Sequence, residues 1–228
     1  RYTIKGVFEM LQNDSLYKRS HTKRLVEFTK LSHDSFKRFM EFDHQVLSEG
    51  HLSKKFKEVI SIAVAHTTGC AHCIDHHVKQ FKTLGGTKEE MAESIMVATA
   101  LKAGSAMAHS VNALNAYDEI EDDELYKASY FNRLKELGQL DGERFKAFIN
   151  FDQQAMKAGL LTVKEKELIA IAVAHTTGCP YCIDIHTKSA KKAKVTKEEV
   201  AEAILVATLL KAGSAMSHGV NALNAYDE

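Results

Sequence analysis

Val59-Ile60-Ser61-Ile62-Ala63-Val64-Ala65-His66-Thr67-Thr68-Gly69-Cys70-Ala71-His72-Cys73-Ile74-Asp75-His76-His77 returns 109 positions later as Leu168-Ile169-Ala170-Ile171-Ala172-Val173-Ala174-His175-Thr176-Thr177-Gly178-Cys179-Pro180-Tyr181-Cys182-Ile183-Asp184-Ile185-His186. The first seven residues of each copy are apolar nearly all round, the pattern of a helix buried on every side. Thr67-Thr68-Gly69 breaks that helix, and a new one opens at the cysteine pair. The chain has 4 cysteines, and all of them lie in these two motifs. A cysteine kept only for packing has no reason to recur as a spaced pair with a histidine four residues on. The organising feature is therefore one thiol site present twice.

Outward from the motif, residues 16–119 align without a gap on 125–228, and more than half of the aligned positions are identical. This is a tandem duplication. Residues 1–15 form an N-terminal extension with no counterpart, and 120–124 form an acidic linker. One proline in 228 residues and almost no strand-like alternation predict an all-α protein of two tandem repeats, with about six helices in each. One helix is expected from Ser35 to Leu47, with Phe36, Phe39, Met40 and Leu47 on its apolar face. Phe42 and Val46 widen that face, and Asp43 interrupts it, as Asp152 does in the second copy. Ser53 and Thr162 read as N-caps of the buried helix. Thr87-Lys88-Glu89-Glu90 and Thr196-Lys197-Glu198-Glu199 read as capping boxes opening a further helix. A separate last helix is expected from Ala106 to Tyr117.

Composition narrows the function classes. Lys+Arg and Asp+Glu are both 30, so no basic excess supports a nucleic-acid or anionic-membrane partner. No run of apolar residues approaches the ~20 of a membrane span. Arg1-Tyr2-Thr3-Ile4-Lys5 carries no apolar signal core. Four cysteines are too few to staple a secreted scaffold of this length. The expectation is a cytoplasmic protein whose paired cysteines serve redox chemistry or a metal.

Proline prefers the first helical position, so Pro180 makes Cys179 an N-cap and places Cys182 in the first turn. Both sulfurs then face unsatisfied backbone N–H groups and the positive end of the helix dipole, a position that lowers a thiol pKa. Cys73 and His77, like Cys182 and His186, are i, i+4 neighbours, which sets an imidazole beside the second sulfur. Glu58 and Glu167 immediately precede the buried apolar run. Each reads either as a partly desolvated general base or as a carboxylate stabilised near its helix start.

The pattern Glu58-x11-Cys70-x2-Cys73-x3-His77, with its copy Glu167-x11-Cys179-x2-Cys182-x3-His186, resembles the active-site signature of the alkylhydroperoxidase D-like family, within the carboxymuconolactone decarboxylase superfamily. The resemblance covers both repeats. It implies an all-helical fold, a homo-oligomer (a trimer of two-repeat chains, or a dimer) and thiol peroxidase activity. It also implies no bound cofactor, only an external dithiol reductant such as a lipoyl adaptor or a thioredoxin-like protein. Carried over, Cys73 and Cys182 are peroxidatic and Cys70 and Cys179 resolving. His77 and His186, with Glu58 and Glu167, form the proton relay. His72 fits a histidine that the family often has just before the second cysteine. Tyr181 departs from it, so equal activity at the two sites does not follow.

Two other functions fit the same residues. One is a dithiol–disulfide oxidoreductase without peroxide turnover. The other is a metal- or redox-sensing binding protein, in which zinc would need a fourth ligand such as His66 or Glu58. Cys179-Pro180-Tyr181-Cys182 also resembles a glutaredoxin motif, but the alternating strands and helices of that fold are missing. His66 and His175 read as C-terminal caps, and His109 and His218 as structural groups of the last helix. His21 reads as a surface residue.

Overall fold

The computed structural model describes residues 17–227; the expected extension over 1–15 lies outside them. All regular structure among the described residues is helical. In the first repeat a 3-10 helix, Arg19–Glu27, leads into α1 (Phe28–Leu31), α2 (His33–Leu47), α3 (Lys54–Thr68), α4 (Ala71–Thr83) and α5 (Lys88–Tyr117). The second repeat follows the same order: a 3-10 helix, Ala128–Arg133, then α6 (Leu134–Leu140), α7 (Gly142–Met156), α8 (Val163–Thr177), α9 (Pro180–Lys192) and α10 (Lys197–Asp227). Among the described residues each repeat contains five α-helices and one 3-10 helix.

Local chemistry sets the helix ends. The Ser53 side chain accepts the Phe56 N–H at the start of α3, and Thr162 and Thr87 each head a complete capping box. Thr196 and Glu199 exchange the same two bonds, at 2.8 and 3.2 Å. Each such cap contributes about 1 kcal/mol. Gly69 and Gly178 end α3 and α8 at φ +71°, in the left-handed region where a side chain would be strained.

The expected start of a separate helix at Ala106 does not occur: α5 is continuous over 30 residues. The glycine at 104 costs about 1 kcal/mol within a helix. Neighbouring alanines and leucines favour helix, and the Phe148 ring packs against the bare backbone, 3.7 Å from where a Cβ would stand.

At the centre α3, α5, α8 and α10 pack against one another, with α3 and α8 in direct contact. Ile60, Ile62, Ile169 and Ile171 are fully buried, and each contributes roughly 1.5–3 kcal/mol. By length and composition α10 is apolar enough to cross a bilayer, against the expectation of no such run. Its apolar residues are those of a core helix: Val206, Leu209 and Leu210 bury against the α3–α8 centre.

The long helices cross between repeats. α10 packs on α2, α4 and the 3-10 helix of the first repeat, and α5 packs on α7, α9 and the 3-10 helix of the second. An ion pair between a buried lysine and a partly exposed glutamate secures each crossing. Glu202 of α10 accepts the backbone N–H groups of His51 and Leu52, at 2.8 and 3.0 Å. It also pairs at 3.0 Å with Lys57, whose Nζ donates to the Ser48 carbonyl. Glu93 of α5 does the same for Leu160, Leu161 and Lys166. Gly50 leaves room for this approach, since a Cβ there would stand 2.3 Å from the Glu202 carboxylate.

α2 departs from the expected face. Phe39, Phe42, Val46 and Leu47 pack on the core, while Met40 is exposed and Phe36 stacks on Phe28 at 6.4 Å. The helix has no fully buried residue, because it leans on α10 of the other repeat rather than lying in the bundle.

Candidate active site

Both cysteine pairs open a helix in the same way. Cys70 is the N-cap of α4, and its sulfur accepts the Cys73 N–H at 3.1 Å; Cys179 caps α9 and accepts from Cys182 at 3.2 Å. Each pair is joined as a disulfide, with Cα atoms 5.2 and 5.3 Å apart, within the ordinary range for such a bridge. The two cysteines of a pair differ in access. Cys70 and Cys179 are sealed, whereas Cys73 lines a cavity of about 430 Å³.

The far wall of that cavity belongs to the other repeat. Leu209, Gly213, Met216 and Ser217 of α10 face Cys73, and the Ser217 hydroxyl lies 3.7 Å from its sulfur. Sequence reasoning missed Ser217, which has no fixed spacing to the motif it serves.

Behind each second cysteine stands a buried imidazole–carboxylate couple. His77 Nδ1 lies 2.7 Å from Glu58 Oε2, and His186 Nδ1 lies 2.8 Å from Glu167 Oε2. Glu58, Glu167 and His77 are among the few buried polar residues of the molecule. With Nδ1 donating to the carboxylate, the ring is held in one tautomer and Nε2 is left for proton transfer. Residues nineteen apart in sequence meet here because α3 and α4 pack face to face across the Gly69 turn.

Asp43 also faces this cavity. Burial pushes its carboxyl up from the ordinary value, with the charge of His77 opposing. Asp152 is raised by burial in the same way, opposed by His186. The sequence showed these residues only as interruptions of an apolar stripe. A carboxylate recurring on the buried side of both copies was the signal.

The two sites diverge at the residue before the second cysteine. His72 lines the cavity, and its Nε2 is buried without a hydrogen-bond partner among the described residues. Burial, aided by His21 and His218, lowers its pKa and keeps it neutral at pH 7. His21, expected at the surface, is partly buried and lies within hydrogen-bond distance of Asn224 of α10. Tyr181 is buried between Tyr126 and Phe131, with ring centroids at 5.7 and 5.3 Å. Its hydroxyl has no partner among the described residues, and burial raises its pKa.

Four other histidines serve their own helices. His66 and His175 bond through Nδ1 to the carbonyls of Ile62 and Ile171, and His109 and His218 to those of Ser105 and Ser214. Glu58 is engaged by His77, and His66 lines a different pocket from Cys73. Among the described residues no group of three or more metal-binding side chains gathers.

Comparison with known proteins finds relatives of the sequence and of the fold. The sequence profile of the carboxymuconolactone decarboxylase family matches residues 33–116 and again 143–225. "Uncharacterized protein 4 in cox locus" of Paracoccus denitrificans is 42% identical over 83 residues, which is 36% of this chain and 75% of the relative. "Uncharacterized protein H16_B0147" of Cupriavidus necator is 32% identical over 91 residues, covering 40% of this chain and 80% of the relative. A solved structure described as a gamma-carboxymuconolactone decarboxylase subunit, from Burkholderia xenovorans LB400, superposes with a TM-score of 0.68 at 17% identity. That superposition covers 91% of this chain and 95% of the neighbour, and it shows a shared fold.

Proposed function

The chain belongs to the carboxymuconolactone decarboxylase family, and on that premise we propose that it is a thiol-dependent peroxidase reducing alkyl hydroperoxides through a CxxC disulfide cycle. The family includes decarboxylases and peroxidases. The observation that carries the peroxidase reading is a vicinal dithiol at a helix N-terminus with a buried imidazole–carboxylate couple behind it, present twice. Decarboxylation needs no vicinal dithiol.

In the reduced protein the Cys73 thiol gives its proton to His77, which Glu58 holds in place and stabilises as the imidazolium. The thiolate attacks the terminal oxygen of the hydroperoxide. An S–O bond forms, the O–O bond breaks, and the departing alkoxide takes the proton from His77 and leaves as the alcohol. The Cys70 thiol then attacks the sulfenic sulfur; the S–O bond breaks, water leaves, and the disulfide forms. Two electrons from an external dithiol, a lipoyl adaptor or a thioredoxin-like protein, restore both thiols by exchange. Cys182, His186, Glu167 and Cys179 repeat these roles in the second copy. Cys73 is assigned the attack because it lines the cavity and Cys70 does not. The chain acts as a homo-oligomer, a reading supported by the exposed apolar Val26, Leu31 and Met40 on its first-repeat side.

The test counts thiols in reduced, metal-stripped protein before and after an alkyl hydroperoxide is added. The expected result is loss of thiols in pairs, one pair per peroxide consumed. Survival of all four thiols in excess peroxide, with rapid exchange against a model disulfide, rejects this function in favour of a dithiol–disulfide oxidoreductase.

A further inference from the structure

Around the two dithiols the repeats differ in one consistent direction. Arg19, Thr22, His72, His76 and Ser217 all line the cavity at Cys73. The 109-residue offset sets Ala128, Phe131, Tyr181, Ile185 and Ala108 at the corresponding places in the second repeat. Four of the exchanges replace a hydrogen-bonding side chain by an apolar one, and the fifth sets the ring of Tyr181, with its buried hydroxyl, in place of His72.

The consequences differ at each sulfur. At Cys73 polar groups are set into an apolar lining that includes Leu25, Phe39 and Leu209: Arg19 stands at the mouth, paired with Asp75 at 2.6 Å, and Ser217 reaches the sulfur itself. Burial holds His72 and His76 neutral at pH 7, so they offer hydrogen bonds rather than charge. At Cys182 the surroundings are an apolar cluster in which Ala108, Cys179, Tyr181 and Cys182 pack with Phe131. The Phe131 ring lies over Tyr181.

We propose that the two dithiols divide hydroperoxides by polarity, Cys73 taking small hydrogen-bonding peroxides and Cys182 taking apolar alkyl or aryl hydroperoxides. This rests on the peroxidase reading above. A polar peroxide entering the second site would surrender hydrogen bonds to water and could regain them from the Tyr181 hydroxyl but not from Phe131, Ile185 or Ala108. An aryl hydroperoxide entering there exchanges water for aromatic contact. At the first site the preference reverses, because an apolar group would displace water from Arg19, His72 and Ser217 without offering them hydrogen bonds.

The experiment uses the fully reduced full-length chain with limiting peroxide, rapid alkylation of the remaining thiols, and peptide mapping of each disulfide. Hydrogen peroxide and cumene hydroperoxide are the probes. Hydrogen peroxide is expected to oxidise Cys70–Cys73 preferentially and cumene hydroperoxide Cys179–Cys182, the ratio of the two rates changing by about tenfold or more between probes. C179S/C182S and C70S/C73S proteins, each keeping one dithiol, should reproduce the two preferences separately. T22F/H72Y in the first of these should move its ratio toward that of the second site. The same ratio at both dithiols, or a second dithiol inert to both probes, overturns the division while leaving a peroxidase. If neither dithiol responds to either peroxide, the peroxidase reading itself falls, and the division with it.

Discussion

Ser217→Ala isolates what the other repeat contributes to the thiol chemistry. The hydroxyl lies 3.7 Å from Cys73 Sγ, and the equivalent place beside Cys182 is held by Ala108. Once the disulfide is reduced, the hydroxyl can donate to the thiolate but has little to offer the neutral thiol. A hydrogen bond to a charged group nets about 1.5–3 kcal/mol, and 1.36 kcal/mol corresponds to about one pKa unit. The long contact to a diffuse sulfur places the effect at the low end, so S217A should raise the Cys73 pKa by about one unit. Wild-type Cys73 should titrate below Cys182, and A108S should lower Cys182. The assay is the pH dependence of alkylation at each cysteine, resolved by peptide mass, which separates Cys73 from its coupled partner Cys70. An unchanged or lowered Cys73 pKa in S217A would refute the argument that α10 tunes this sulfur.

Glu58→Gln keeps the shape of the couple but removes the charge that steadies His77 as an imidazolium. Peroxide-driven thiol loss at Cys73 should slow by roughly 10²–10⁴-fold with the helical circular dichroism unchanged, and E167Q should do so only at Cys182. Glu202→Gln leaves buried Lys57 without its anion and should cost about 3 kcal/mol in denaturant unfolding, the low end because Glu202 is itself partly exposed. The acid limb of stability should follow the same carboxylates. Desolvation raises Glu93 and Glu202, but backbone N–H groups and a lysine outweigh it, so both sit below the ordinary value of 4.5. A group depressed in the folded state stabilises fully above its unfolded pKa, so melting temperature should hold above about 4.5 and fall as the pH drops below it. Ile169→Ala, at a fully buried position between the repeats, should cost about 2–5 kcal/mol in the same unfolding assay.

Much of the architecture was legible because it is local. Ser53, Thr87, Thr162 and Thr196 cap their helices through bonds spanning three residues, and Gly69 and Gly178 stop theirs by backbone conformation alone. Pro180 settled the N-cap geometry of the second cysteine pair, and the first pair adopts it without a proline. What reads poorly in one dimension is a helix that continues through glycine. The boundary expected near Ala106 is absent: the helix runs on through Gly104, where Phe148 of the other repeat lies within ordinary contact distance. Asp43 looked like an error in an apolar stripe because its reason, a thiol cavity, is not local to α2.

The sequence by itself determined the duplication, the all-helical class and the pairing of each second cysteine with a histidine one turn on, because these depend on composition, caps and helical period. It also supplied Glu58 and Glu167, whose approach to that histidine needs only the short turn between two packed helices. The tertiary structure alone decided that the sites are composite. α5 and α10 cross into the opposite repeat, so Ser217 serves Cys73 from 144 residues away and Ala108 stands beside Cys182. No spacing rule encodes that partnership: it follows from how four central helices bury their apolar surfaces against one another. The packing that closes the core also brings different residues, Ser217 and Ala108, beside two nearly identical motifs.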